Sequence, residues 1–206
     1  TSKVTRLSSG LPCSYVSMNH YFDIGANTGT ALRGYLCKTD AYDGWTIWCF
    51  EPSLRHIPVL LEEAKKHKGR YKVIVCACGV TGTTSFTPFY PKHDQSADSF
   101  YYEHAPRNGV FGDDLGFAQF SAGVPLSHIL ETTTTEADQV EISIDSEGSE
   151  FDILANLLDN SHLLKRIIRL GVEWHFHPGT SHDADHRDRL MGKFSELGLP
   201  VQYERI

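Results

Sequence analysis

The sequence has no concentrated block of Lys or Arg, and 19 basic against 26 acidic residues give its 206 positions a formal net charge of −7. Nucleic-acid affinity comes largely from cationic side chains that neutralise phosphates, so neither duplex DNA nor RNA is expected as a partner. No apolar run approaches the roughly 18 residues that a membrane span needs, and no signal peptide opens the chain, so no membrane association is expected. The five cysteines, Cys13, Cys37, Cys49, Cys76 and Cys78, are odd in number and form no C-x-x-C pair. They read as reduced core thiols of a cytoplasmic protein, not as a disulfide framework.

What is present is an alternation of apolar runs and amphipathic stretches. Strands are expected at Tyr21–Ile24, Trp45–Phe50, Tyr71–Cys78, Val140–Ile144, Arg166–Trp174 and Val201–Ile206. Helices are expected at residues 29–37, 58–67, 151–158 and 183–197. This pattern implies one α/β domain, with a mostly parallel central sheet and helices on both faces. Residues 1–20 read as an entry loop and 21–206 as the domain. Residues 79–139 form an irregular insertion in which Thr83–Tyr90 alternates like an antiparallel strand of a hairpin. Its aromatic residues Tyr101, Tyr102, Phe111, Phe117 and Phe120 would either wall an acceptor pocket or belong to a surface flap. Thr132–Thr135 reads as a connection. The chain begins at Thr1 without an initiator Met and is expected to be an excised domain of a longer protein.

The stretch around which the chain is organised is Y-F-D-I-G-A-N-T-G, Tyr21 to Gly29, a strand that breaks into a glycine-bounded turn. Backbone N–H groups at the following helix start would face a ligand. Ligands on open parallel sheets bind at the carboxyl ends of the strands, where Glu51 and Asp145 also fall. A carboxylate after the second strand is placed to accept hydrogen bonds from a ribose diol. Dinucleotide sites use G-x-G-x-x-G, whose middle glycine lets the backbone approach a pyrophosphate, and Asn27 stands at that position here. A nucleoside without phosphates, such as S-adenosylmethionine, suits the corner better.

In these residues the chain resembles the FkbM-type methyltransferases, whose Rossmann-like methyltransferase fold implies an antiparallel C-terminal strand. The family's D-I-G-A-N-x-G corner corresponds to Asp23–Gly29, its F-E-P to Phe50-Glu51-Pro52, and its A-x-G to Ala77-Cys78-Gly79. Its K-I-D-x-E-G-x-E corresponds to Ser143–Glu150, with Ser143 in place of Lys, and its E-x-H to Glu173-Trp174-His175. The resemblance spans Tyr21 to Pro178. It implies an S-adenosyl-L-methionine-dependent O-methyltransferase acting on a hydroxyl of a sugar, glycan or similar small-molecule alcohol, with other glycan-assembly domains as partners in the same polypeptide. It assigns Asp23, Gly25, Asn27, Gly29, Glu51, Pro52, Cys78 and Asp145 to the cofactor.

Asp145, Glu147, Glu173 and His175 are the candidate catalytic residues. An unperturbed imidazole is largely neutral at pH 7, so His175, or one of the carboxylates, is read as the general base. Alternatively Asp145, Glu173 and His175 hold Mg²⁺ or Mn²⁺, hard cations suited to oxygen-rich ligands. Glu147 and Glu150 also suit a helix start, where carboxylates meet a partial positive charge. Other readings are a binding domain without turnover, a nicotinamide oxidoreductase, and a metal-dependent hydrolase built on His175, His177, His182 and His186. The histidine spacing matches no defined zinc scheme.

Overall fold

Period-two alternation within short apolar runs sends successive side chains to opposite faces of a sheet, and both faces here find helices to cover them. The computed structural model describes residues 17–90, 98–100, 119–176 and 182–203. The chain runs through β1 (Asn19–Ile24), α1 (Thr30–Arg33), β2 (Thr46–Phe50), α2 (Ile57–Lys66) and β3 (Lys72–Cys76). Three strands follow, β4 (Gly79–Thr81), β5 (Ser85–Phe89) and β6 (Gln119–Pro125), and then α3 (Leu126–Thr133). β7 (Gln139–Ile144), α4 (Glu150–Asp159), β8 (Ile167–Val172), α5 (Ala184–Glu196) and β9 (Gln202–Tyr203) complete the order.

The main sheet has six strands in the order β3-β2-β1-β7-β8-β9, every pair parallel. Tyr21, Ile47 and Cys49 point to the face covered by Leu32 of α1 and Leu60 of α2. Phe22, Ile24, Phe50 and Ile142 point to the other, where Leu130, Leu154, Leu157 and Phe194 from α3, α4 and α5 meet them. Each such fully buried side chain stabilises the fold by about 1.5–3 kcal/mol relative to exposure. The chain travels outward from β1 to β3 and then returns to β7 on the far side of β1. The strand order therefore reverses between β1 and β7, and a crevice opens at their carboxyl ends.

The expected fold class holds, with one correction. β9 pairs with β8 in parallel, through Gly171↔Gln202 and Val172↔Tyr203, where an antiparallel strand was expected. The physical reason is the crossover: α5 carries the chain back along the sheet, so the next strand starts from the same edge as β8. The first helix is also shorter than expected, since the α-helix spans only Thr30–Arg33 and a 3-10 turn at Leu36–Lys38 follows.

Within residues 79–139 the expected antiparallel strand is β5, but its partner is the distant β6, in a three-stranded sheet ordered β4-β6-β5. The threonine run proves to be the end of α3. Thr132 and Thr133 bond back to carbonyls of the preceding turn, and Thr134 caps the helix through Leu130. Phe120 is exposed on β6, whereas Tyr101, Tyr102, Phe111 and Phe117 lie outside the described residues. Among the described residues no helix is long and apolar enough to cross a membrane.

At the crevice the backbone of β1 presses directly on β7. Asp145 N–H donates to the Ile24 carbonyl at 2.9 Å, and Gly25 turns with φ +87°. A Cβ on Gly25 would lie 1.7 Å from the Asp145 carbonyl oxygen, so the backbone itself would have to move. Gly44 has a similar φ of +82° with nothing within 4 Å of its missing Cβ. Gly44→Ala is expected to cost about 1 kcal/mol through backbone strain alone. Gly25→Ala adds the collision, for about 4 kcal/mol and a fall in Tm of roughly 10 °C. Thermal denaturation of both variants checks this, and equal losses would show that the crossing is not tight.

Candidate functional site

The corner after β1 is held by hydrogen bonds within the protein. Gly25 and Ala26 N–H both donate to the Phe50 carbonyl, Asn27 N–H donates to Glu51 Oε2 at 2.7 Å, and Gly29 N–H donates to the Ala26 carbonyl. Thr28 N–H goes to Asn27 Oδ1, and Asn27 takes a positive φ of 50°. The N–H groups from Gly25 to Gly29 are thus all engaged internally and form no anion-binding nest. Of the helix start, Thr30 and Ala31 do line the crevice. Gly29 lines neither part of it; a Cβ there would meet Glu63 and Leu60 of α2 at 3.1 and 3.3 Å.

Glu51 is only 4% exposed, and it is fixed by two backbone donors, Asn27 N–H on Oε2 and Ser53 N–H on Oε1, each at 2.7 Å. His56 Nδ1 lies 3.5 Å from Oε1. A carboxylate offers about four acceptor sites, so capacity remains for further donors.

Two recesses share Gly25, Asn27 and Asp145. The first is walled by Phe50, Val80, Phe89 and Phe100, with Glu51 and Pro52 at its edge. The second is lined by Asp23, Thr30, Asp145 and Glu173. Among the described residues neither lining contains Lys or Arg. Cys78, expected at the cofactor, packs against the main core, and the next residues, Gly79 and Val80, line the first recess. Burial pushes the Cys78 thiol up to about 11.

Beyond the corner, the loop after β7 and the end of β8 bring acidic groups around one imidazole. His175 Nδ1 lies 3.0 Å from Glu150 Oε1, while its Nε2 lies 3.6 Å from Glu147 and 3.8 Å from Asp145. Glu150 has no exposure, and it accepts from Ser146 N–H, the Ser146 hydroxyl and Gly148 N–H at 3.0–3.1 Å. It knits the loop from inside and orients the ring. The helix-start reading of Glu150 missed this role, since its signal is only the E-G-x-E spacing two residues from Gly148, which does not say that the chain folds back over the carboxylate.

Burial lowers the affinity of His175 for its proton, but the Glu150 hydrogen bond and the charges of Glu150, Glu147 and Asp145 outweigh it, raising the pKa to about 9. Burial raises Asp145 to about 7; His175 opposes this, while Glu173, Glu147 and Glu150 reinforce it. These shifts speak against a neutral His175 as base and for the carboxylate alternative. In this setting the imidazole is charged at neutral pH, and Asp145 is the group poised to exchange a proton there.

The expected metal group is also altered. One ligand atom each from Asp145, Glu147 and His175 lie within 4.8 Å of one another, and Glu173 is not among them. Glu173 faces the second recess, and its N–H donates to the Ile144 carbonyl at 2.8 Å. Of the other histidines, His182 stacks on Phe151 with ring centroids 4.6 Å apart, and His186 packs beside the same ring at 5.1 Å. They help cover that core residue and do not join His175. His177 lies outside the described residues.

A model of the methyltransferase FkbM domain matches residues 23–198. Among solved structures, a methyltransferase FkbM from Methylobacillus flagellatus KT matches with 17% identity and a TM-score of 0.44, over 74% of this chain. The match takes in 32% of that chain, so this sequence spans about a third of its length. No curated protein matches.

Because its pKa is raised, charged His175 stabilises the fold fully below about pH 6.5, and this contribution is lost as pH rises through about 9. Asp145 has the same sign: its protonated form is favoured, so stability falls as pH climbs from 3.8 to about 7. Glu150→Gln removes the charge that holds the His175 proton. Its imidazole midpoint, read by NMR, is expected to drop from about 9 toward 6.5, with a flatter fall of Tm across that window. An unmoved midpoint would rule out Glu150 as the cause.

Proposed function

This chain belongs to the FkbM methyltransferase family, and from that premise we propose that it transfers the methyl group of S-adenosylmethionine to a hydroxyl oxygen of a sugar or glycan. The observation that carries this reading is the pairing of two unlike recesses across one corner. The first has apolar walls suited to a flat base, with the fixed carboxylate of Glu51 available to a ribose diol. The second, with Asp23, Asp145 and Glu173, suits a ligand end carrying positive charge. The internally engaged N–H groups of the corner and the lack of Lys and Arg among the described lining residues argue against a pyrophosphate, and with it against a nicotinamide dinucleotide.

S-adenosylmethionine, bound there, would supply an electrophilic methyl group on a sulfonium. The protein's task is the nucleophile, because a neutral alcohol must lose its proton. Asp145, which borders both recesses, is the proposed acceptor of that proton. A base whose pKa lies near the working pH combines availability with driving force. His175, charged and held by Glu150, keeps a positive group 3.8 Å from Asp145 and maintains the ionised fraction that can act. Glu147 and Glu173 complete the acidic surroundings of the acceptor oxygen.

The clustering of Asp145, Glu147 and His175 supports a second route, in which these residues hold Mg²⁺ or Mn²⁺. Their two carboxylates and one imidazole fit such an ion once His175 gives up its proton, and the ion would acidify the hydroxyl. Glycan-assembly domains in the same polypeptide and a cytoplasmic setting belong to the same proposal.

Calorimetry with S-adenosylhomocysteine tests the first recess. Glu51→Ala is expected to weaken binding roughly ten- to hundredfold, because charge-assisted hydrogen bonds are worth about 1.5–3 kcal/mol. An unchanged Kd would remove Glu51 from the site. Transfer of labelled methyl to a panel of glycans tests turnover, with Asp145→Asn expected to lose about 10²–10⁴-fold. Full activity after exhaustive chelation would eliminate the metal route, and normal activity in Asp145→Asn would eliminate both.

A further inference from the structure

The imidazole of His56 lines the first recess beside Glu51 and takes no part in the proton transfer assigned to Asp145. The residue is 3% exposed, and neither ring nitrogen has a hydrogen-bond partner among the described residues. Nδ1 lies 3.5 Å from Glu51 Oε1, beyond the roughly 2.7–3.2 Å of an N–H···O bond. We propose that one hydroxyl of a bound ribose bridges this gap, donating to Glu51 Oε1 and accepting from His56 Nδ1–H, so that His56 makes the site specific for ribonucleosides. The proposal rests on the methyltransferase reading for the nucleoside.

The chain returns the imidazole to the carboxylate through the turn of residues 52–55. Ser53 ties both ends of it: its N–H donates to Glu51 Oε1 at 2.7 Å, and its carbonyl accepts His56 N–H at 3.1 Å. Gln119 of β6 holds the turn from outside, its amide donating to the Pro52 carbonyl and its oxygen accepting Leu54 N–H at 3.2 Å. Arg55 Nε and Nη2 both donate to the Asp98 carboxylate, Nε at 3.0 Å. His56 enters α2 in helical conformation, with φ −84°, and its side chain does not cap that helix. The backbone of His56 is thus fixed while its ring nitrogens are left for a ligand.

A buried polar group that makes no hydrogen bond costs stability, so one retained at the wall of a recess points to a ligand that supplies the bond. The geometry selects the ligand group. An oxygen about 2.7–2.8 Å from Oε1 can at the same time stand about 2.9–3.0 Å from Nδ1, because those two atoms are 3.5 Å apart. Such an atom must donate on one side and accept on the other. A hydroxyl does both, whereas a carbonyl oxygen only accepts and the amino group of a base only donates. Oε1 already accepts Ser53 N–H and Oε2 accepts Asn27 N–H, which leaves each oxygen one lone pair and suits the two adjacent hydroxyls of a ribose. A site that hydrogen-bonds a hydroxyl rejects the analogue lacking it, because its own buried groups are then left without a bond.

The test uses the full chain with S-adenosylhomocysteine and its 2′-deoxy and 3′-deoxy forms, and Kd is read by calorimetry. The unaltered protein is expected to prefer the parent over at least one deoxy form by about tenfold or more. His56→Leu is expected to weaken the parent about fivefold or more and to cut that preference to about twofold. Its Tm should stay level or rise, because the free protein loses an imidazole that has no hydrogen bond to break. The proposal is overturned by the absence of a preference in the unaltered protein, or by a preference that survives in His56→Leu. It is overturned equally if His56→Leu fails to fold or loses Tm in step with affinity, since the imidazole would then serve the fold. Failure of the unaltered protein to bind S-adenosylhomocysteine would sink the methyltransferase reading. Adenosine and its 2′-deoxy and 3′-deoxy forms would then decide the proposal, and no binding or no preference among them would overturn it.

Discussion

The contact on which the rest of the site depends is the crossing of Gly25 over the Asp145 carbonyl. Nothing larger than a hydrogen fits there, because a Cβ would come within 1.7 Å of that oxygen. The crossing locks the end of β1 to the end of β7 at the point where the strand order reverses. It also makes Asp145 a border of both recesses, since the side chain must leave the strand beside the corner. Without this approach the two recesses would be separate surface features and not one continuous cleft.

Two buried carboxylates then fix the loops on either side. Glu51 gathers Asn27 and Ser53 N–H groups, and Glu150 gathers Ser146 and Gly148 N–H groups together with the His175 ring. Each replaces the missing regular hydrogen bonds of a strand-to-helix loop with charge-assisted ones, which are among the stronger available. A turn held in this way keeps its shape without a ligand, which is the preorganisation a methyl-transfer site needs, given how sharply such reactions depend on alignment.

The cluster around His175 shows how burial and charge together set roles that residue type leaves open. A histidine among ionised carboxylates keeps its proton, and a carboxyl among other carboxyls in a partly dry site gains affinity for one. The apparent assignment of base and acid is thereby exchanged. The same enclosure by carboxylates would suit either a cation or, in the proposed reaction, a positively charged sulfonium.

The sequence by itself determined the alternation of strands and helices, the glycine corner, and the placing of Glu51, Asp145 and Glu173 at strand ends, because these follow from local periodicity and from motifs read along the chain. It also carried the resemblance that the family match bears out over residues 23–198. The tertiary structure decided the rest. The partner of β5, the helix at Leu126–Thr133 and the parallel direction of β9 depend on where distant segments return, and no window of sequence holds that information. Likewise Glu150 could be seen as an acid near a helix start, but its burial against His175, twenty-five positions away, exists only once α4 and β8 are side by side. Burial and charge proximity set proton affinities, and both are properties of the folded arrangement and not of the residues in line.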